Sequence, residues 1–263
     1  MPHLFIFGLG YSAKRIRAAT EALGWRVSAT GDDGELAFED EAQVRAALGA
    51  ASHVLSSVPP GEAGDPVLMR YGDALGHDWL GYLSSTGVYG DTGGAWVDES
   101  APLGGRRGAR VEADLAWLER GARVFRLPGI YGPGRSAFER IAEGRAHRID
   151  VPGQVFSRIH VEDIAAGVVA AFDAPPGAYN LADDLPASQN AVIEEACRLL
   201  GAEPAPVVPL EDAGLSPQAR AFYTENRRVA NGKARRVLGW RPRFATYREG
   251  LADCLRRSSP SAQ

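Results

Sequence analysis

The sequence predicts an α/β fold in which a doubly wound parallel sheet carries helices on both faces. Two observations lead to this prediction. Short apolar runs alternate with helical patterns along most of the chain, and nearly every run ends in Gly, Pro, Ser or Thr. The first run also passes directly into a glycine-rich turn and then into a helical pattern. A length of 263 residues allows one large domain, or one domain with a small appendage.

Residues 4–13 form the unit around which the other elements are arranged. An apolar run predicts a buried strand, and Gly8 and Gly10 follow it in the pattern G-x-G-x-x-A, with Ala13 at the third position. A glycine allows the tight turn and a close approach of backbone to a ligand, and the helix start that follows favours a pyrophosphate. A second strand at residues 25–30 completes the unit. The sequence therefore predicts dinucleotide binding.

The other elements follow in the order that such a sheet requires. Further strands are predicted at residues 36–38, 53–58, 79–85, 122–127 and 178–181. Helices are predicted at residues 40–48, 66–75, 107–120, 136–143, 160–172, 188–200 and 231–238, and from 247 onward. In a doubly wound sheet ligands bind outside the carboxyl ends of the strands. The expected cleft segments are therefore residues 8–13, 30–33, 56–60, 84–86 and 127–131.

Composition excludes several classes of protein. With 45% apolar and 24% charged residues the chain is an ordinary globular protein, and no apolar run approaches the ~20 residues of a membrane span. The first strand begins directly after His3, which leaves no room for a signal peptide, so we expect a cytoplasmic protein. Cys197 and Cys254 are too few for a disulfide scaffold or a metal site, so we expect reduced thiols and no metal.

Charge argues against nucleic acid as a partner. The formal net charge is −4, and the basic run between Arg227 and Arg243 has no accompanying aromatic platform. A solvated helix face is the more common explanation of such a run. We therefore expect a small-molecule ligand, with no nucleic acid and no membrane as partners.

Five segments, taken in order, resemble the extended short-chain dehydrogenase/reductase family, the NAD-dependent epimerase/dehydratase type. They are residues 8–13, 83–90 (LSSTGVYG), 126–134 (RLPGIYGPG), 159–165 (IHVEDIA) and 179–184 (YNLADD). The resemblance implies a Rossmann domain that binds NAD(P), over residues 1–182, and a small C-terminal substrate-side domain, over residues 183–263. Residues 132–157 are expected to contribute to the small domain. The resemblance also implies a dimer, although a monomer remains open.

The glycine loop, the cleft segments and the resemblance together give the candidate cofactor-binding residues. These are Gly8, Gly10, Tyr11, Ser12, Ala13, Thr30, Ser57, Val58, Pro59, Ser84, Leu127, Pro128, Gly129 and Ile130.

The chemistry of the family requires a serine or threonine, a tyrosine, and a lysine four residues after the tyrosine. Ser85 falls at the serine position; a strand-end hydroxyl bonded to backbone is the alternative explanation. The positions of the tyrosine and lysine hold Arg106 and Arg110, and an arginine cannot act as a base. The chain therefore resembles atypical members that lack this pair. Ser85 and Arg110 are the candidate catalytic residues. For the two arginines, the simpler expectation is that Arg106 and Arg110 lie on a helix that faces solvent.

Candidate substrate residues are Thr86, Tyr131, Arg158 and His160. Arg158 is a candidate for an anionic substrate group, whereas a helix-start hydrogen bond is the more common role for His160. Sugar-nucleotide enzymes of the family usually carry an arginine where this chain has Phe156. This departure makes a nucleotide-sugar substrate less favourable.

The choice between NAD and NADP stays open at this level. Asp32 and Asp33 follow the second strand and would repel the phosphate of NADP, which favours NAD. Lys14 and Arg15, just after the glycine loop, favour NADP instead.

Two functions are compatible with the sequence. The first is an NAD(P)-dependent oxidoreductase or epimerase that acts on a small, anionic substrate without the tyrosine and lysine. The second is a non-catalytic NAD(P)-binding redox sensor or regulatory protein, because Arg106 stands where a proton donor is expected.

Overall fold

A six-stranded sheet forms the centre of the computed structural model, which describes residues 1–258. Every neighbouring pair of strands in it is parallel. The predicted doubly wound α/β fold is confirmed.

The strands and helices follow one another in close alternation. The strands are β1 (His3–Phe7), β2 (Arg26–Ala29), β3 (His53–Ser56), β4 (Trp79–Ser85), β5 (Trp96–Val97), β6 (Arg123–Leu127), β7 (Gly129–Tyr131), β8 (Arg148–Asp150), β9 (Arg158–His160), β10 (Gly177–Asn180), β11 (Val207–Pro209) and β12 (Arg228–Val229). The α-helices are α1 (Tyr11–Glu21), α2 (Glu41–Ala50), α3 (Pro66–Tyr71), α4 (Gly108–Glu119), α5 (Ala137–Ala142), α6 (Val161–Ala170), α7 (Gln189–Leu200), α8 (Pro217–Ala221), α9 (Gly232–Val237) and α10 (Tyr247–Ser258). Within residues 1–258, no helix has both the length and the apolar character needed to cross a membrane.

The order of strands in the main sheet is β10-β6-β4-β3-β1-β2. The chain therefore moves outward in opposite directions from the boundary between β1 and β3, and a crevice forms at that switch point. Alternate residues of β1 separate the two core layers: Leu4 and Ile6 pack with α1 and α6, whereas Phe5 and Phe7 pack with α2, α3 and α4.

One predicted strand does not form. Residues 36–38 contribute only an isolated bridge between Leu36 and Thr30. The backbone carbonyl of Phe38 accepts a hydrogen bond from the Tyr71 hydroxyl at 2.5 Å, and the two rings pack edge-on. The segment is therefore held by side-chain packing on α3 instead of by a sheet ladder.

Three short parallel pairs were not predicted from the sequence. β7 pairs with β9, β11 pairs with β8, and β12 pairs with β5. Each pair joins segments that are not adjacent in the chain. The β5–β12 pair attaches the C-terminal region to the loop that follows β4.

A third cluster of buried side chains lies in the C-terminal region. Its apolar members come from β7, α5, α7 and α10, and they include Tyr131, Phe138, Val192, Tyr247 and Leu251. This cluster lies beside the residues that follow β6. It positions one wall of the cleft described next.

Candidate functional site

A cleft of about 1080 Å³ opens beyond the carboxyl ends of β1, β3, β4 and β6. The sequence-predicted residues that line it are Gly10, Tyr11, Ser12, Ala13, Ser57, Pro59, Ser84, Ser85, Thr86, Arg110, Leu127, Pro128, Gly129, Ile130, Tyr131 and Arg158. Four predicted residues do not line it, namely Gly8, Thr30, Val58 and His160. Most of the predicted residues are therefore brought together in one space.

Gly8 lies beneath the cleft and shapes the turn. Its φ of +81° is one that side chains rarely adopt, and a Cβ there would meet Val58 Cγ2 at 3.0 Å. Its N–H donates to Thr30 Oγ1 at 3.1 Å, and the Ser57 hydroxyl donates to its carbonyl. Gly8, Thr30 and Val58 do not line the cleft, and the polar atoms of Gly8 and Thr30 are used within the turn. Their predicted contact with a cofactor stays a prediction.

The N-terminus of α1 opens into the cleft. Gly10 is the N-cap residue, and no side chain caps the helix. A Cβ on Gly10 would meet no atom within 4 Å, so the space in front of the first turn is open. The first turn also carries no acidic residue. An uncapped helix start of this kind offers backbone N–H groups and a positive dipole end to an anion.

The two serines at the end of β4 have different surroundings. The Ser84 hydroxyl donates to Asp114 Oδ2 at 2.6 Å and is buried. Ser85 Oγ accepts from the Gly87 N–H at 3.1 Å, and Ser85 lines the cleft. The backbone hydrogen bond anticipated for Ser85 is present, yet it uses the oxygen only as an acceptor. The Ser85 O–H can still donate toward the cleft.

A buried polar network supports this strand end. The side chains of Asp114 and Arg126 are 0% and 3% exposed and pair at 2.7 Å. Arg126 also donates to the Tyr89 hydroxyl at 3.0 Å, and that hydroxyl donates to Asn180 Oδ1 at 2.7 Å. Tyr89 therefore has a structural role, and burial raises the pKa of its hydroxyl.

Arg106 and Arg110, at the positions where the resemblance implies a tyrosine and a lysine, do not share one solvent-facing helix. Arg106 lies before α4 and pairs with Glu225 at 2.5 Å, while also donating to the Ala221 carbonyl at 2.8 Å. Arg110 lies on α4, is half-buried and lines the cleft. Its side chain makes no hydrogen bond or ion pair with any residue in the described range 1–258. The expectation of a common solvated face was wrong, because α4 begins only at Gly108.

Arg158 lines the cleft and is 7% exposed. Burial lowers its pKa to about 10, so it remains a cation at neutral pH. Nearby, burial raises the pKa of Asp183 to about 8, against the opposing effect of Arg158. Tyr131 also lines the cleft, and its ring lies against the backbone of Gly250 in α10.

His160 is fully buried outside the cleft, which corrects its assignment as a substrate contact. Its Nδ1 accepts from the Glu162 N–H at 3.3 Å, so it serves as the N-cap of α6. Its Nε2 lies 3.8 Å from Asp253 Oδ2. Burial lowers the pKa of the ring to about 4, with Asp253 as the largest opposing influence. The anticipated helix-start role is the one that the geometry shows.

The outer wall of the cleft was missed by sequence reasoning. It comes from residues 215–229 and includes Phe222, Tyr223, Glu225 and Arg227. Arg227 pairs with Glu225 at 2.6 Å and donates to the Gly90 carbonyl, so it does not belong to a solvated helix face. A basic run containing Arg227 was the only sequence signal in this segment. The hydrogen bond from Arg227 to Gly90 joins residues more than a hundred positions apart in the chain, and no local sequence pattern predicts it.

Comparison with known proteins gives no match to a family model. A solved structure described as a functionally unknown conserved protein from Silicibacter pomeroyi is 40% identical, with a TM-score of 0.88. The match covers 99% of this chain and 100% of that one. This chain belongs to the same family as that protein.

Two further relatives are more distant. A 3-diazoavenalumate denitrifying reductase from a Streptomyces species is 30% identical over 178 residues, which are 59% of this chain and 58% of the reductase. The match thus spans less than two thirds of the reductase. A human epimerase family protein solved with NADPH is 15% identical over 97% of this chain and 99% of that one, with a TM-score of 0.77. The expected fold of the extended short-chain dehydrogenases/reductases is confirmed.

Proposed function

We propose that this protein is an NAD(P)-dependent oxidoreductase or epimerase that acts on a small anionic substrate. One observation carries the proposal: the open, uncapped start of α1, the Ser85 hydroxyl and the buried Arg158 cation all face one cleft. A site for a cofactor diphosphate, a hydrogen-bond donor and a site for an anion are thereby held in a single space.

The residues of the α1 start fit the cofactor. The backbone N–H groups of residues 11–13 would hold its diphosphate, and the open space at Gly10 would admit it. Ser84 and residues 127–130 would contact its nicotinamide half. When bound, NAD(P) supplies the acceptor or donor of a hydride. The Streptomyces relative is described as a reductase, which supports a redox reaction.

The chain's own residues then bind and polarise the substrate. Ser85 donates a hydrogen bond to a substrate oxygen, and the Arg110 cation stabilises negative charge that develops on that oxygen. Arg158 binds the anionic group, and Thr86 and Tyr131 contact the body of the substrate. On this proposal residues 1–182 hold the cofactor. Residues 183–258, together with 132–157, form the substrate side, and residues 259–263 of the predicted small domain lie outside the described residues.

We further propose a preference for NAD over NADP. Asp32 and Asp33 follow β2, and the two cations that could oppose them are already engaged. Lys14 pairs with Asp33 at 2.6 Å, whereas Arg15 is directed toward Glu162 at 3.9 Å. The end of β2 therefore lacks a cation available for a ribose phosphate within residues 1–258.

A redox sensor without turnover is the second candidate. Arg106 supports it, because a guanidinium occupies the position at which the resemblance implies a tyrosine, and it is committed to Glu225. The sensor would bind the cofactor in the same way and report its occupancy to a partner.

A thermal-shift series with NAD⁺, NADH, NADP⁺ and NADPH tests binding first. A ligand at a hundred times its Kd should add about 2.7 kcal/mol of stability. The matched variant is Gly10→Asp, which should fold because Asp is a good N-cap residue but should lose the shift, since its carboxylate takes the helix N–H groups. Absence of any shift with all four cofactors would exclude both functions.

Turnover then separates the two candidates. The absorbance of the reduced cofactor is followed with a panel of aldehyde, ketone and sugar-acid substrates. Oxidation that is lost in Ser85→Ala supports the enzyme. Cofactor binding without oxidation of the reduced cofactor in the presence of any substrate, and with no effect of Ser85→Ala on that binding, supports the sensor.

A further inference from the structure

Arg158 is a buried cation whose hydrogen bonds all go to neutral oxygens. Its Nη1 donates to the carbonyls of Phe156 at 2.9 Å and Ala187 at 2.8 Å, and its Nη2 donates to Gln189 Oε1 at 3.1 Å. No carboxylate among residues 1–258 lies within ion-pair distance of it. A buried cation without a counter-charge is unfavourable by several kcal/mol, so the site favours an incoming anion.

The guanidinium also has donors left over. Five N–H groups are available to an arginine, and three hydrogen bonds are made. The Nε–H and one Nη2–H remain without a partner among the described residues. A planar pair of donors matches the two oxygens of a carboxylate.

Asp183 does not neutralise this cation. It lies close enough to influence the guanidinium, yet the two groups form no ion pair, and burial raises the pKa of the carboxyl to about 8. Its Oδ2 makes no hydrogen bond with any residue that the structure describes. The positive charge of Arg158 is therefore directed at the cleft that this residue lines.

Aromatic rings stand next to this charge. The Phe156 ring lies 5.9 Å from Arg158 Cζ, and it packs edge-on against Tyr223 with centroids 5.4 Å apart. Both rings line the cleft, as does Phe222, whose side chain is 57% exposed. Such a wall is suited to a flat apolar group, which stacks on ring faces and edges.

We propose that the substrate-side half of the cleft binds an aromatic carboxylate, with the carboxylate on the free donors of Arg158 and the ring against Phe156 and Tyr223. This inference rests on the proposed function and specifies its substrate class.

The test compares probes on the wild-type protein saturated with whichever nicotinamide cofactor gives the largest thermal shift. The probes are trans-cinnamate, its neutral amide trans-cinnamamide, the aliphatic carboxylate hexanoate, and UDP-glucose, with Kd measured by calorimetry. We expect cinnamate to bind at least tenfold more tightly than each of the other three. If cinnamamide binds as tightly as cinnamate, the carboxylate does not contribute to recognition. If hexanoate binds as tightly as cinnamate, the ring does not contribute. Tighter binding of UDP-glucose, or no binding of any probe, overturns the inference.

Variants assign the contacts. Arg158→Gln should reduce the affinity for cinnamate to that for cinnamamide, and Tyr223→Leu should reduce it toward that for hexanoate. Arg198→Gln removes an exposed cation that pairs locally with Glu195 and does not line the cleft, and should leave the Kd within twofold. If Arg158→Gln does not fold, the wild-type comparison and Tyr223→Leu still decide. A protein that binds cofactor but shows no preference for cinnamate refutes this inference and leaves the proposed function standing.

Discussion

At the residue scale, Ser84 and Ser85 are adjacent in the chain, yet their hydroxyl groups form different hydrogen bonds. The Ser84 hydroxyl donates its hydrogen bond to the carboxylate of Asp114, within a buried network. Ser85 Oγ accepts a hydrogen bond from the Gly87 N–H, and the Ser85 O–H donates to no residue within 1–258. Ser85 lines the cleft. Because successive strand residues face opposite sides of a sheet, this difference follows from the register of β4.

Replacement of Ser85 by alanine should reduce kcat/KM by roughly 100-fold or more, since a positioned donor is lost at the reacting oxygen. Cofactor binding should change little, as judged by the thermal shift with NAD(P). Ser100→Ala, at an exposed turn, is the control and should leave both quantities unchanged. If Ser85→Ala retained full activity, its hydroxyl would have no catalytic role.

His160 should make the protein sensitive to acid. Burial lowers its pKa to about 4 in the folded state, below the 6.5 of an ordinary histidine. As the pH falls below 6.5 the unfolded chain takes up the proton first, so the free energy of unfolding decreases until about pH 4. The contribution amounts to about 2 kcal/mol between pH 7 and pH 5.

His160→Asn keeps an N-cap residue on α6 but removes this titration. Urea unfolding at pH 7 and pH 5 should show a smaller loss of stability in the variant than in the wild type. The same loss in both proteins would assign the acid sensitivity to other groups.

At the scale of elements, α10 approaches β7 closely enough to require a glycine. A Cβ on Gly250 would come within 2.0 Å of the Tyr131 hydroxyl, and Tyr131 is itself 8% exposed within the third cluster. The contact places α10 against the strand whose residues line the cleft. A helical glycine here is thus a packing requirement, although glycine weakens an isolated helix.

Gly250→Ala should destabilise the protein by about 1–3 kcal/mol, through overpacking against Tyr131. The matched control is Gly49→Ala in α2, where a Cβ would meet nothing within 4 Å. That variant should be stabilised by up to about 1 kcal/mol, because alanine is the better helix former. Thermal or urea unfolding measures both, and a stabilised Gly250→Ala would show that Tyr131 moves aside without strain.

At the scale of the whole molecule, one ion pair joins the loop before α4 to the outer wall of the cleft. Glu225 is 9% exposed and receives both Arg106 and Arg227. Ion pairing with these arginines holds its pKa below the ordinary value in spite of burial. The wall formed by residues 215–229 is thereby fixed to the loop that precedes α4.

Arg106→Gln should loosen this wall. A partly exposed pair contributes up to about 1 kcal/mol, which corresponds to roughly fivefold in a local opening equilibrium. The expected result is faster tryptic cleavage after Arg220 in α8, measured by mass spectrometry. Arg145→Gln, which disturbs only a local pair, should leave the rate unchanged. Equal rates in all three proteins would show that Glu225 does not depend on Arg106.

Much of the sheet could be predicted from the sequence, because its strands are apolar runs with local stop signals. One side of the cleft could also be predicted, because its residues end or follow strands of that sheet. They are Gly10, Ser85 and residues 127–130. The outer wall could not be predicted. Tyr223 and Glu225 are positioned by the β5–β12 pairing and by the ion pair with Arg106. These contacts join residues far apart in the chain, and hydrophobic periodicity predicts only local structure.

Arg106 also limits how this protein could be redesigned. A tyrosine at position 106 and a lysine at position 110 would supply the two side chains that the resemblance implies. The exchange would simultaneously leave the buried carboxylate of Glu225 with one cation fewer and release the Ala221 carbonyl. A tyrosine-dependent dehydrogenase could therefore be built on this scaffold only if a new anchor for the 215–229 wall were introduced together with the two side chains.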